Sequence, residues 1–128
     1  MAPSPPLFTG RELDLMAALW TLGPSTVAEV RAAIGDPLAY TTVLTILRTL
    51  EAKGHVAHKV SGRAHRFRAT VTRDEAAGAE LRRLLGPYFG GSPAALVDRL
   101  AREREATPAE LKRIRKSLKR RIKRRGDA

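Results

Sequence analysis

The stretch from Ala39 to Arg68, AYTTVLTILRTLEAKGHVAHKVSGRAHRFR, constrains the fold more than any other part of the chain. Advancing ~100° per residue, Val43, Ile46, Leu47 and Leu50 gather on one side of a helix running from about Ala39 to Lys53, with Leu44 at the margin. Gly54 stops it. His55–Val60 and Ala64–Val71 then read as two strands joined by Ser61-Gly62-Arg63, a glycine-containing hairpin connection. A lone hairpin is barely stable in water, so this one needs a helical body beside it.

The upstream sequence supplies that body. Helices are expected from about Gly10 to Leu22, with Leu13, Met16, Ala17 and Trp20 on one face, and from about Val27 to Ile34; Gly23 and Gly35 end them. Thr9-x-x-Glu12, Thr26-x-x-Glu29, Thr72-x-x-Glu75 and Thr107-x-x-Glu110 all fit the capping box, where hydroxyl and carboxylate satisfy orphan N–H groups. Three helices and then a hairpin is the order of a winged helix-turn-helix. After Val71 the pattern is helical throughout: Thr72–Leu85, Pro93–Arg104 and Pro108–Lys123. The fold class is therefore mainly α with a small β-hairpin. Residues 1–8 are expected as a flexible lead, 9–71 as the winged helix and 72–125 as a helical dimerisation domain.

The third helix carries a polar arc opposite its apolar side: Thr41, Thr42, Thr45, Arg48, Thr49, Ala52 and Lys53. Threonine is a mediocre helix former, and an indifferent solvated face would carry Glu, Lys or Gln instead. Short hydroxyls allow close approach to base edges or phosphates, and Arg48 can reach guanine or a phosphate. Tyr40 can give its hydroxyl to the backbone. In the hairpin, Lys59, Arg63, Arg66 and Arg68 supply cations for phosphate contacts that position a protein without reading sequence. The arrangement predicts a helix in the major groove of double-stranded DNA with the hairpin against the phosphates alongside.

The later helices carry regular apolar positions: Leu84, then Leu96, Val97 and Leu100, then Leu111, Ile114, Leu118 and Ile122. The roughly 55 residues after Val71 are too few and too basic to bury a good core alone, so a second copy of the chain is expected to cover these stripes and form a homodimer.

Net charge is +11, which favours a polyanionic partner. It is unevenly placed. Through Thr70 there are eight basic and five acidic residues, whereas ten basic residues and no acidic one lie between Lys112 and Arg125. That last stretch can be a solvated face whose apolar stripe packs in the dimer, an extra phosphate contact, or a helix on anionic lipid, which its lack of aromatic anchors disfavours.

There are no cysteines, which removes disulfides and thiolate chemistry and fits a reducing cytoplasm. The start lacks a signal-peptide pattern and no apolar run reaches ~18 residues, so no membrane insertion is expected. His55 and His58, three apart on a strand, would point to opposite faces, with no acidic partner in view and no metal site expected. Gly90-Gly91-Ser92 reads as a turn and helix cap. No catalytic motif, carboxylate pair or phosphate-cradling loop is legible, and neither enzyme activity nor a cofactor is expected.

Several stretches together resemble the penicillinase-repressor family of bacterial winged-helix regulators: Leu7-Phe8-Thr9-Gly10 to Trp20, Leu38 to Thr45, Leu50 to Gly54, Gly62 to His65 and Phe89 to Pro93. The likeness runs from about Leu7 to Leu118. It implies a homodimeric repressor on a palindromic operator with TACA/TGTA-like half-sites, joined through a C-terminal helical lobe. Carried onto this chain, Thr41, Thr42, Thr45 and Arg48 would read bases, and Lys53, Arg63 and His65 would contact the DNA backbone or serve the wing. In resistance-linked members a membrane metalloprotease sensor leads indirectly to cleavage of an Asn-Phe bond. Arg99-Leu100 stands near that place here, so the same specificity does not carry over. The copper-responsive branch needs cysteines that this chain lacks. Two rivals remain open: a nonspecific architectural or RNA-associated protein driven by Lys112–Arg125, and an adaptor using the winged helix as scaffold.

Overall fold

A computed structural model describes residues 5–35, 37–103 and 107–126. Its elements run α1 (Gly10–Leu22), α2 (Val27–Ala33), α3 (Tyr40–Ala52), β1 (Val56–Ser61), β2 (Ala64–Ala69), α4 (Arg73–Phe89), α5 (Pro93–Arg102) and α6 (Pro108–Gly126). The chain divides into two compact units, Met1–Arg82 and Arg83–Ala128.

In the first unit α1, α2 and α3 pack around Leu15, Met16, Leu19, Val27, Val30, Val43, Leu47 and Leu50, and the hairpin closes the core with Val56 and Phe67. Burying each such side chain contributes about 1.5–3 kcal/mol. The caps form as their spacing requires. Thr9 accepts from the Glu12 amide while the Glu12 carboxylate accepts from the Thr9 amide, and Thr26 and Thr72 cap through the amides of Glu29 and Glu75.

Helix α1 departs from expectation in its buried face. Glu12, Leu15, Met16, Ala18 and Leu19 are buried, whereas Leu13 is 47% exposed. Glu12, a carboxylate that looks solvent-bound in sequence, lies on that buried face, only 6% exposed and held by Lys53 Nζ at 2.7 Å. Trp20 lies at the margin, where its indole N–H donates to the Val71 carbonyl at 2.8 Å.

The strands pair antiparallel from Val56↔Ala69 to Ser61↔Ala64, leaving the two-residue loop Gly62–Arg63. Gly62 takes φ +64°, the positive value that primed two-residue turns need at their first position. His55 lies before the strand, not in it; its imidazole is buried with Nε2 unpartnered among the described residues and Phe8 edge-on at 5.3 Å.

Packing also reaches across the lead and past Val71. Phe8 is packed on the core and 6.2 Å from Trp20, so the ordered body begins before Thr9; residues 1–4 of the expected flexible lead fall outside the described residues. The first unit reaches past Val71 into α4, because Arg73 donates to Thr21 at 3.2 Å and lies 5.7 Å from the Trp20 ring centre, with Ala76 buried. Helix α4 runs on through Pro87 and ends where Gly90 and Gly91 take φ +57° and +76°. Proline bends a helix, but successive left-handed residues stop it.

In the second unit, Leu84, Leu96, Val97, Leu100, Leu111 and Ile114 are half-buried, Leu118 is 49% and Ile122 69% exposed. No described side chain of this unit is fully buried. Ser92 caps α5 through the Ala95 amide at 3.1 Å, with Pro93 at the first position.

Candidate nucleic-acid interface

Helix α3 buries Val43, Leu47 and Leu50 and leaves Thr41, Thr42, Thr45, Arg48 and Thr49 exposed. Thr45 Oγ1 donates to the Thr41 carbonyl at 2.8 Å and Thr49 Oγ1 to the Thr45 carbonyl at 3.0 Å. This back-bonding engages the hydroxyl protons within the helix, so these residues present methyl groups and oxygen lone pairs outward. Arg31 Nε donates to the Leu38 carbonyl at 2.7 Å, fixing the approach to the helix start.

Beside this arc lies a groove of about 450 Å³ between α3 and the hairpin, lined among others by Tyr40, Leu44, Arg48, Arg63 and His65. Arg48, Lys59, Arg63 and Arg68 are exposed and make no ion pair among the described residues. Arg66 differs from its neighbours, since its guanidinium is 3.3 Å from Glu29 Oε1. The fold thus brings Thr41, Thr42, Thr45, Arg48, Arg63 and His65 to one side of the first unit.

Lys53 is the exception. Its ammonium is bound to Glu12 at 2.7 Å, so it ties the end of α3 to α1 as well as standing at the edge of the polar arc. Burial of Glu12 raises its pKa, but the hydrogen bond and charge of Lys53 and the two contacts with Thr9 outweigh this, and the value falls below the ordinary one of 4.5. A depressed folded pKa contributes stability above the unfolded value and loses it as pH falls through the folded one. The urea midpoint of the chain should therefore exceed that of Glu12→Gln at neutral pH, and the gap should close as pH falls below the ordinary carboxylate value and through the depressed folded one. A constant gap at every pH would show that the charge contributes nothing.

The hairpin has a second support that the sequence does not announce. His58 Nδ1 lies 2.6 Å and 2.8 Å from the two carboxylate oxygens of Glu51, so the expectation that no acidic group stands near it is wrong. The His58 ring stacks on His65 at 4.9 Å and tilts against Phe67 at 5.4 Å. Register explains the stack: His58 pairs with Phe67 across the ladder, and His65, two residues before Phe67, is its diagonal neighbour on the same face. Glu51 on α3 therefore reaches the wing face through two imidazoles. The clue in sequence was the spacing of Glu51 and His58 across the turn at Gly54.

At the hairpin base, Ser25 and Phe67 exchange backbone hydrogen bonds of 2.9 Å and 2.7 Å, a single bridge from the α1–α2 connection. With the helices, the groove and this clamped wing in place, the match to known proteins decides between the rivals: the penicillinase repressor family matches residues 8–120. The chain belongs to the penicillinase repressor family. It is a DNA-binding transcriptional regulator with a winged helix.

No curated protein matches this penicillinase repressor family member. Among solved structures it is similar to BpsR of Bordetella bronchiseptica, described as regulated in DNA binding by 6-hydroxynicotinic acid, at 18% identity over 77% of this chain and 78% of that one, TM-score 0.49. It is also similar to a MarR family protein from Bacillus stearothermophilus at 19% identity over 77% and 73%, TM-score 0.48. Among the described residues no helix is long and apolar enough to cross a membrane.

Proposed function

We propose that this regulator is a homodimeric, sequence-specific repressor that occupies a palindromic operator and blocks transcription sterically in the cytoplasm. The observation that carries the reading is the exposed threonine-and-arginine arc of α3, seated on a buried aliphatic face beside the groove that Arg63 and His65 line. One α3 per subunit enters a major groove, with Thr41, Thr42, Thr45 and Arg48 at base edges and Arg63 and His65 toward phosphates. Half-sites with a TACA/TGTA-like core are the family expectation.

The dimer rests on the second unit, whose apolar residues Leu84, Leu96, Val97, Leu100, Leu111, Ile114 and Leu118 find no closed core among the described residues. Covering them with the same residues of a second copy satisfies both. Operator affinity then depends on assembly, and any event that opens this unit releases DNA. A membrane metalloprotease sensor acting indirectly is one such route, although Arg99-Leu100 calls for a different cleavage specificity.

Selection of bound fragments from genomic DNA, run beside sedimentation velocity, tests the proposal. A dimer whose selected fragments share an inverted repeat is the expected result. Fragments without a common motif, or a monomer with equal preference, would refute it. Leu96→Glu with Leu100→Glu should give monomers with an intact first unit and operator affinity lowered at least tenfold.

A further inference from the structure

Beyond the groove, α6 presents a cationic surface that base reading by α3 does not use. We propose that α6 is a second, sequence-independent contact with duplex DNA, gripping phosphates that α3 does not address; this rests on reading the first unit as a DNA-binding module. Advancing ~100° per residue, Lys112, Lys116, Lys119 and Lys123 fall in one row, and Arg113, Arg120 and Arg124 in a row beside it. Leu111, Ile114, Leu118 and Ile122 occupy another side.

These seven cations are exposed and without ion pairs among the described residues. The neighbouring α5 shows the contrast: Arg99 pairs with Glu103 at 2.7 Å and Arg102 with Asp98 at 3.2 Å, both one helical turn apart. In α6 the residues one turn apart repel instead, as with Lys112 and Lys116, Lys116 and Arg120, Lys119 and Lys123, Arg120 and Arg124. Helix polarity does not account for the pattern, since that effect fades within the last turn and the rows begin at Lys112. A polyanion removes the repulsion.

The geometry fits a nucleic-acid backbone better than a lipid surface. From Lys112 to Lys123 the row spans about 16 Å, the axial rise of about five phosphates on one strand at ~3.4 Å each. An interfacial helix would want aromatic anchors on its apolar side, and α6 contains no aromatic residue.

The test compares the full chain with a variant carrying Lys112→Gln, Lys116→Gln, Lys119→Gln and Lys123→Gln. Glutamine keeps helix propensity and leaves the apolar stripe intact. Fluorescence anisotropy on a selected operator and on a random duplex, across a range of NaCl, should give a salt slope shallower by roughly 0.9 for each phosphate that the variant leaves unneutralised. Preference for operator over random duplex should persist, because phosphate contacts do not read sequence. An unchanged slope overturns the proposal. So does loss of binding to phosphatidylglycerol vesicles with no change on DNA, which would assign α6 to lipid. Should the lysine variant lose helicity by circular dichroism, Arg113→Gln, Arg120→Gln and Arg124→Gln put the same question to the second row. Absence of operator preference in the unmodified chain is a separate result, directed at α3 and not at α6.

Discussion

If the proposed dimer reads its operator through α3, Arg48→Ala is expected to weaken operator binding by about 2–6 kcal/mol, since a bidentate base contact is worth about 1–3 kcal/mol and the substitution would enter both half-sites. That corresponds to roughly thirtyfold up to four orders of magnitude in affinity. Arg48 is exposed on α3, borders the helix–wing groove and has no ion pair among the described residues. Its removal should leave the melting temperature nearly unchanged, as surface changes of this kind do. Arg48→Lys should not restore the contact, because an ammonium lacks the planar fork. Anisotropy on operator and scrambled duplexes separates the roles. A loss confined to the operator marks a base reader, and an equal loss on both duplexes would make Arg48 a phosphate contact.

Phe67→Ala should produce the largest loss of stability, about 3–5 kcal/mol. Phe67 is 1% exposed, closes the core from β2, lies against His58 and exchanges backbone bonds with Ser25. Truncation opens a cavity where the hairpin meets the helices, so the wing should loosen along with the global fall in stability. Urea unfolding measures the first effect, and Arg63-dependent DNA affinity in the folded fraction measures the second. A loss under about 1 kcal/mol would mean that the ladder and the Glu51–His58 contact hold the hairpin without the ring.

What is legible in the sequence is what repeats with a period or sits at a cap. The aliphatic side of α3, the glycine stops and the threonine caps depend on local spacing, and the structure reproduces them. Contacts between distant residues are not legible. Glu12 looks like half of a capping box, which it is; that it also lines the core depends on Lys53, far along the chain. Leu13 is apolar and yet lies exposed, because α1 turns to bury Leu15 and Leu19 instead. Lys53 continues the polar arc by angle, but its ammonium is taken by a partner that helix geometry cannot reveal. Arg66 likewise meets Glu29 of α2 rather than standing free. The domain limit at Val71 follows from the change of periodicity, whereas the compact unit extends to Arg82 through Arg73 and Ala76.

The single bridge between Ser25 and Phe67 divides the hairpin into two regimes. At the bridge the backbone is pinned on both sides, and binding there has no freedom left to remove. Past it the ladder projects about 10 Å to Ala64 at ~3.4 Å per residue, held by its partner strand and by the exposed ion pair of Arg66 with Glu29. Fixing a flexible residue costs about 1–2 kcal/mol of conformational entropy, and any such cost falls on Gly62 and Arg63 rather than on the base. In the proposed complex the wing is a cantilever: what its tip gains from a phosphate is offset by the freedom it gives up, while α3 meets DNA already set.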